Sequence, residues 1–126
     1  MKAERSDSIL AEKSFRFSIR IVRLSQYLNG EKKEFILSKQ ILRSGTAIGA
    51  LVSEAKYAQS RADFLNKLTI ALKEANETLY WIDLLHETDY LNGSMHQSLR
   101  NDANEILGLL ISITKKLKSN QITSNS

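Results

Sequence analysis

Cysteine and proline are both missing from the 126 residues, and glycine occurs only five times. Without cysteine there is no disulfide frame, no thiol nucleophile, no cysteine zinc site and no iron–sulfur cluster. Without proline nothing interrupts long helices from within, because proline is the residue that removes a helical N–H and clashes with the preceding turn. No run of about 18 apolar residues exists to cross a membrane. The opening MKAERSDS also lacks the apolar stretch of a signal peptide, so a cytoplasmic protein with no membrane partner is expected. At 42% hydrophobic and 25% charged residues the chain is too apolar for disorder, and its length suits one domain.

Of the glycines, Gly30, Gly93 and Gly108 fall where helices could end or pause. Gly45 and Gly49 form a G-x-x-x-G pair inside a helical pattern. In a water-soluble chain such a pair is expected to let another helix approach closely.

The apolar spacing is helical throughout. Leu10, Ser14, Phe17, Ile21, Leu24 and Leu28 alternate at three and four, and the series closes at Asn29-Gly30. A second helix is expected from near Lys33 to about Ala58, turning Leu37, Ile41, Gly45, Ile48, Val52 and Ala55 inward. Ser60 to Asp63 resembles a capping box with Asp in place of Glu. The third helix carries Leu65, Leu68, Leu72, Ala75, Leu79 and Ile82 and stops before Asn92-Gly93. Ser94 to Gln97 reads as an S-x-x-Q capping box, followed by Leu99, Ala103, Ile106, Leu110, Ile113 and Leu117. Helices of about 25 residues span about 37 Å each. Short connections between such rods favour an all-α, antiparallel up-down-up-down four-helix bundle over residues 1–118. The polar tail 119–126 is expected to fray.

Charge is uneven along the chain. From Lys13 to Arg43, eight basic residues stand against two acidic ones; from Glu74 to Glu105, seven acidic residues stand against one basic. Lys13, Arg16, Arg20 and Arg23 fall within about 80° of arc on the first helix, off the apolar seam. Two readings stand side by side. The strip contacts nucleic-acid phosphates without reading sequence, or it is a solvated face or one matched by acids of a neighbouring helix or subunit. Arginine favours the first, because its guanidinium fork suits phosphate.

The third helix has a second apolar face, Ile70, Trp81 and Leu84, roughly opposite its seam. On the second helix Ile36, Ala47 and Ala50 share an outer face with Arg43 and Glu54. Scattered surface apolars are common, but two helices carrying such faces point to a homo-oligomer interface.

Catalytic patterns are absent. No Walker loop, Rossmann fingerprint, G-x-S-x-G elbow or H-E-x-x-H occurs. Asp83 and His86 have carboxylate-x-x-His spacing, but a bundle di-metal site needs two such motifs with further carboxylates, and Glu12 and Glu54 suit that only loosely. Asp83 and His86 are therefore read as a polar helix end, and His96 as an exposed capping-box residue. No enzyme, cofactor, metal or small-molecule substrate is expected.

The stretches RSGTAIGALVSEA over residues 43–55 and FLNKLTIALKEANETLYW over residues 64–81 resemble the bacterial four-helix-bundle family of 23S rRNA intervening-sequence proteins. They are also similar to the accessory variability proteins of diversity-generating retroelements. The close match covers about Gln40 to Leu85. The resemblance implies a ring-like homopentamer of antiparallel bundles with a basic surface for RNA or DNA, or a scaffold docking an acidic partner such as a reverse transcriptase. Gly45, Gly49, Glu54, Lys73, Glu74, Glu77 and Trp81 match the motif and read physically as packing and oligomer residues. Leu51 departs from it, standing where the family usually has Asn. The expectation is a non-enzymatic homo-oligomer binding nucleic acid non-specifically, with a protein-interaction scaffold as the alternative.

Overall fold

The computed structural model describes residues 5–125, with side-chain surroundings for residues 5–120. Four helices follow one another: α1 Arg5–Gly30, α2 Leu37–Ala55, α3 Arg61–Glu87 and α4 Gly93–Asn125. Among the described residues α2 packs on α1 and α3, and α4 on α3 and α1, while the diagonal pairs stay apart. That cyclic order is the antiparallel four-helix bundle expected from the spacing. The side chains of most of the tail expected to fray lie outside the described residues.

The seams are nearly those the spacing predicts. Leu10, Ser14, Phe17, Ile21, Leu24 and Leu28 are buried on α1, as are Ile41, Gly45, Ile48, Val52 and Ala55 on α2. Leu99, Ala103, Ile106, Leu110 and Ile113 are buried on α4. On α3 the buried stripe is Leu68, Ala71, Ala75, Thr78, Leu79, Ile82 and Leu85, while Leu65 and Leu72 are only half-buried. The helix is turned toward α2 relative to the expected stripe. There Thr78 Oγ1 and Ser44 Oγ share a buried hydrogen bond of 3.0 Å. A threonine among apolar residues carries no hydrophobic signal, so the spacing alone passes over it.

The glycine pair does what its spacing suggests. A Cβ on Gly45 would lie 2.7 Å from Ile21 Cγ1, and one on Gly49 would lie 2.8 Å from Ser18 Oγ and 3.2 Å from the Ser14 carbonyl oxygen. The two glycines let α1 and α2 approach at the level of Ile21 and Ser18.

The corners differ from expectation at the starts of α2 and α4. Lys33 has φ 55°, a left-handed conformation that cannot propagate a right-handed helix, so α2 starts at Leu37 rather than near Lys33. The Glu34 carboxylate is buried in that corner and accepts from the Ser38 N–H at 2.9 Å, meeting a donor at the helix start. The third helix stops before Asn92-Gly93 as expected, ended at Glu87 by Asp89 with φ 70°. The box at Ser94 does not form. Asn92 Oδ1 accepts from the Met95 N–H at 2.8 Å instead, and Gln97 turns to Asn101. The start of α3 is as read: Ser60 Oγ accepts from the Asp63 N–H at 3.0 Å, and Asp63 Oδ2 accepts from the Gln59 N–H at 3.2 Å.

Candidate interaction surfaces

The basic strip of α1 borders α4, and α4 brings carboxylates to it. Lys13 pairs with Glu105, and Arg20 reaches Asp102 at 2.6 Å and the Ser98 carbonyl at 3.3 Å. Arg16 pairs with Glu12 of its own helix at 2.8 Å, whereas among the described residues Arg23 finds only the Gln26 amide oxygen at 3.4 Å. The matching of α1 cations by acids of the second half is thus made inside one chain for Lys13 and Arg20. Sequence separation hides this, because the partners are more than eighty positions apart and meet only once α4 lies antiparallel to α1.

The outer face of α1 carries an apolar stripe among its polar residues. Phe15 is 68% exposed, and Ile19 and Val22 are also exposed, at i, i+4 and i+7. Their helical spacing is readable in the sequence, beside the stronger signals of the buried seam and the cations.

On the opposite flank, Arg43 of α2 reaches over to α3 and is held by two carboxylates, Glu74 at 3.0 Å and Glu77 at 2.6 Å. Glu77 also accepts from the Trp81 indole N–H at 3.3 Å. The Glu77 hydrogen bond holds the Arg43 guanidinium even more firmly protonated, against the opposing pull of desolvation. In return the Arg43 guanidinium, with help from Trp81, holds the Glu77 carboxyl below the usual carboxylate range. Lys67 approaches Glu54 at 3.6 Å along the same α2–α3 line.

The six apolar or small residues read as an interface distribute around these pairs. Ile36 is 75% exposed; Ala50 and Ile70 are exposed, and Ala47, Trp81 and Leu84 are half-buried. By helical phase, Ile36, Arg43, Ala47, Ala50 and Glu54 look out from the α3-facing flank of α2, and Ile70, Trp81 and Leu84 from the α2-facing flank of α3. They make one surface across two helices. Trp81 is less naked than its position suggests, since it leans on the core and its N–H is bonded.

A polar cluster at the α3–α4 corner joins residues read as separate. Asp83 Oδ1 accepts from His96 Nε2 at 2.8 Å, and Arg100 reaches both Asp83 oxygens at 2.7 Å. His96 is therefore half-buried and engaged, not simply exposed. Its ring stacks on that of His86, centroids 4.1 Å apart and 10° from parallel. Burial raises the Asp83 carboxyl, but the His96 and Arg100 bonds and charges outweigh it and hold it below the usual range. Stacked rings cannot both aim an in-plane lone pair at one ion, so the histidine pair does not make a metal site. Among the described residues no group of three or more His, Cys, Asp or Glu could hold one, and no helix is long and apolar enough to cross a membrane.

Fold and surfaces together define a helical bundle whose distinctive chemistry lies on its outer faces and corners. The chain belongs to the 23S rRNA-intervening sequence protein family, whose model matches residues 6–112. It is similar to a solved structure from Bacteroides thetaiotaomicron VPI-5482, a protein with unknown function from the S23 ribosomal protein family. The two share 57% identity over 87% of this chain and 98% of that one, with a TM-score of 0.86. No curated protein matches the chain.

Proposed function

We propose that the protein is a non-enzymatic homo-oligomer that assembles through the α2–α3 face and binds RNA or DNA non-specifically through backbone phosphates. The observation that carries the reading is that face: Ile36, Ala50 and Ile70 exposed beside Trp81 and around an Arg43–Glu74–Glu77 cluster. Exposed apolar residues clustered with an ordered arginine and a tryptophan are what a subunit interface core is made of. The small side chains of Ala47 and Ala50 leave room for a helix of another copy. A five-membered ring is the assembly the family resemblance implies.

Nucleic acid is supported by the net charge of +4, the sequence pI near 9.4 and the family's tie to 23S rRNA intervening sequences. Light scattering on wild type, Trp81→Ala and Ala50→Arg tests the assembly, with a fall to monomer mass expected in both variants. Unchanged mass in both sinks the α2–α3 interface. Filter binding across a salt series tests the partner, and affinity indifferent to salt removes the phosphate reading.

The exposed stripe Phe15, Ile19 and Val22, bordered by Arg16 and Arg23, favours a second reading, docking of an acidic protein such as the reverse transcriptase that the resemblance implies. That reading gains if a purified partner stays bound in fixed stoichiometry after nuclease treatment and Phe15→Ser releases it.

A further inference from the structure

The surplus positive charge has an address that neither the strip nor the sequence halves reveal. The antiparallel pairs fix the register of the bundle. Arg43 lies opposite Glu74 and Glu77, Glu54 opposite Lys67, and Asp83 opposite His96 and Arg100. Extending those registers brings the end of α2, the start of α3 and the region of α4 around Lys118 to one level. A cleft of about 360 Å³ lined by Asp7, Leu10, Val52, Lys56 and Phe64 shows that α1, α2 and α3 do converge there.

Seven basic residues (positions 5, 56, 61, 67, 115, 116 and 118) sit at this end against three acidic ones (positions 7, 54 and 63), a surplus of four, equal to the net charge of the whole chain. Along the body six basic residues face five acidic ones, and at the other end four face five. Lys56, Arg61, Lys115 and Lys118 are all exposed and have no carboxylate partner among the described residues. In the strip, by contrast, Lys13, Arg16 and Arg20 each have one, and Arg23 alone has none among the described residues. Beside Lys56 stands Tyr57, 84% exposed, the most exposed of the large hydrophobic side chains described.

We infer that this end of the bundle, and not the α1 strip, is where a single-stranded nucleic acid binds. Lys56, Arg61, Lys115 and Lys118 take successive phosphates, and Tyr57 offers its ring for an unpaired base to stack on. The inference rests on the proposed nucleic-acid function and supplies its site. The physical ground is competition. A phosphate approaching Lys13 or Arg20 must displace a carboxylate already bonded there, whereas at the end of the bundle it displaces only water and small ions. An exposed aromatic among unmatched cations is the arrangement by which sequence-tolerant single-strand binding works.

The test uses the full-length protein with 20-nucleotide oligo(U) and oligo(dT) in filter binding across a salt series. The variants are Lys115→Gln/Lys118→Gln, Tyr57→Ala and, as the contrasting pair, Arg16→Gln/Arg23→Gln, with circular dichroism to establish that each retains its helices. The lysine pair should weaken binding at least tenfold in 50 mM salt and flatten the log–log salt slope by about 1.4, the share of two phosphates on a single strand. Tyr57→Ala should weaken both oligonucleotides about tenfold with the slope unchanged. The arginine pair should change affinity by less than threefold. Loss of affinity and slope in the arginine pair, with the lysine pair like wild type, overturns the inference while leaving nucleic-acid binding in place. Failure of the wild-type protein to retain either oligonucleotide overturns both.

Discussion

Helix α1 is held on its two flanks by different physics. Toward α2 it packs at the level of Gly45 and Gly49, with the Ile21 side chain, the Ser18 hydroxyl and the Ser14 carbonyl filling the space their missing side chains leave. Toward α4 the contact is the sparsest of the four, and charge spans it: Lys13–Glu105 and Arg20–Asp102, each partly exposed. A groove lined by Arg20, Leu24, Tyr27, Met95 and Leu99 remains open between α1 and α4. Close packing is intolerant of added volume and indifferent to salt; exposed ion pairs are the reverse. The lesson is that α1 is anchored on its α2 side, and that α4 is the helix whose attachment to α1 responds to solution conditions.

The sharpest way to break this contrast is to add volume at the glycines. Gly45→Val should destabilise by about 2–3 kcal/mol, read as a lower urea midpoint with unchanged slope. Ile21 Cγ1 and Cγ2 are fixed to a branched, buried Cβ and cannot swing aside. Gly49→Ala should stay within about 1 kcal/mol of wild type, because the Ser18 hydroxyl can rotate off the Ser14 carbonyl, that carbonyl at 3.2 Å has to give only slightly, and alanine gains about 1 kcal/mol of helix propensity. If both changes are equally damaging, the difference between a stiff and a yielding neighbour is not what matters.

Charge on the other flank should yield less. Arg20→Gln is expected to cost no more than about 1 kcal/mol in low salt, with the difference from wild type fading toward 1 M salt. A loss that persists in high salt means that the arginine stem contributes by packing rather than by charge.

The smallest effect lies in acid. Glu77 and Asp83 have folded-state pKa values below their ordinary ones, so the unfolded chain takes up protons first and stability falls as pH drops through and below the usual carboxylate range. Stability from these pairs is complete above that range. Arg43→Gln should remove the Glu77 share, so that the variant loses less on going from pH 6 to pH 3 than wild type does. Urea melts at the two pH values check this, and an equal loss in both proteins assigns the acid sensitivity elsewhere.

Much of the fold was legible because helical seams are local patterns. Phe17, Ile21 and Leu24 announce a buried face without reference to anything distant, and the spacing of Gly45 and Gly49 announces a close neighbour. Corners were less legible. The left-handed φ of Lys33 and Asp89 falls on residues that carry no glycine signal, and Asn92 competes with Ser94 as a cap on equal chemical terms. The α2–α3 surface could be assembled from helical phase alone, because both its faces deviate from the amphipathic rule in the same way. The Asp83–His96–Arg100 cluster could not, since the phase of neither helix marks its polar residues as partners across the corner.

By itself, the sequence determined four amphipathic helices, their antiparallel order, the absence of cysteine chemistry and the surplus of four positive charges. Helical period and short connections are properties of neighbouring residues, and composition needs no structure. Where the charge acts was decided only by the tertiary structure. The contrast between a basic first half and an acidic second half largely cancels across helix contacts, as Arg20 meets Asp102 and Arg43 meets Glu74. The net surplus that remains lies at one end of the bundle, from the ends of helices far apart in the chain. Coulomb interactions follow distance in space, and only the folded chain sets that distance.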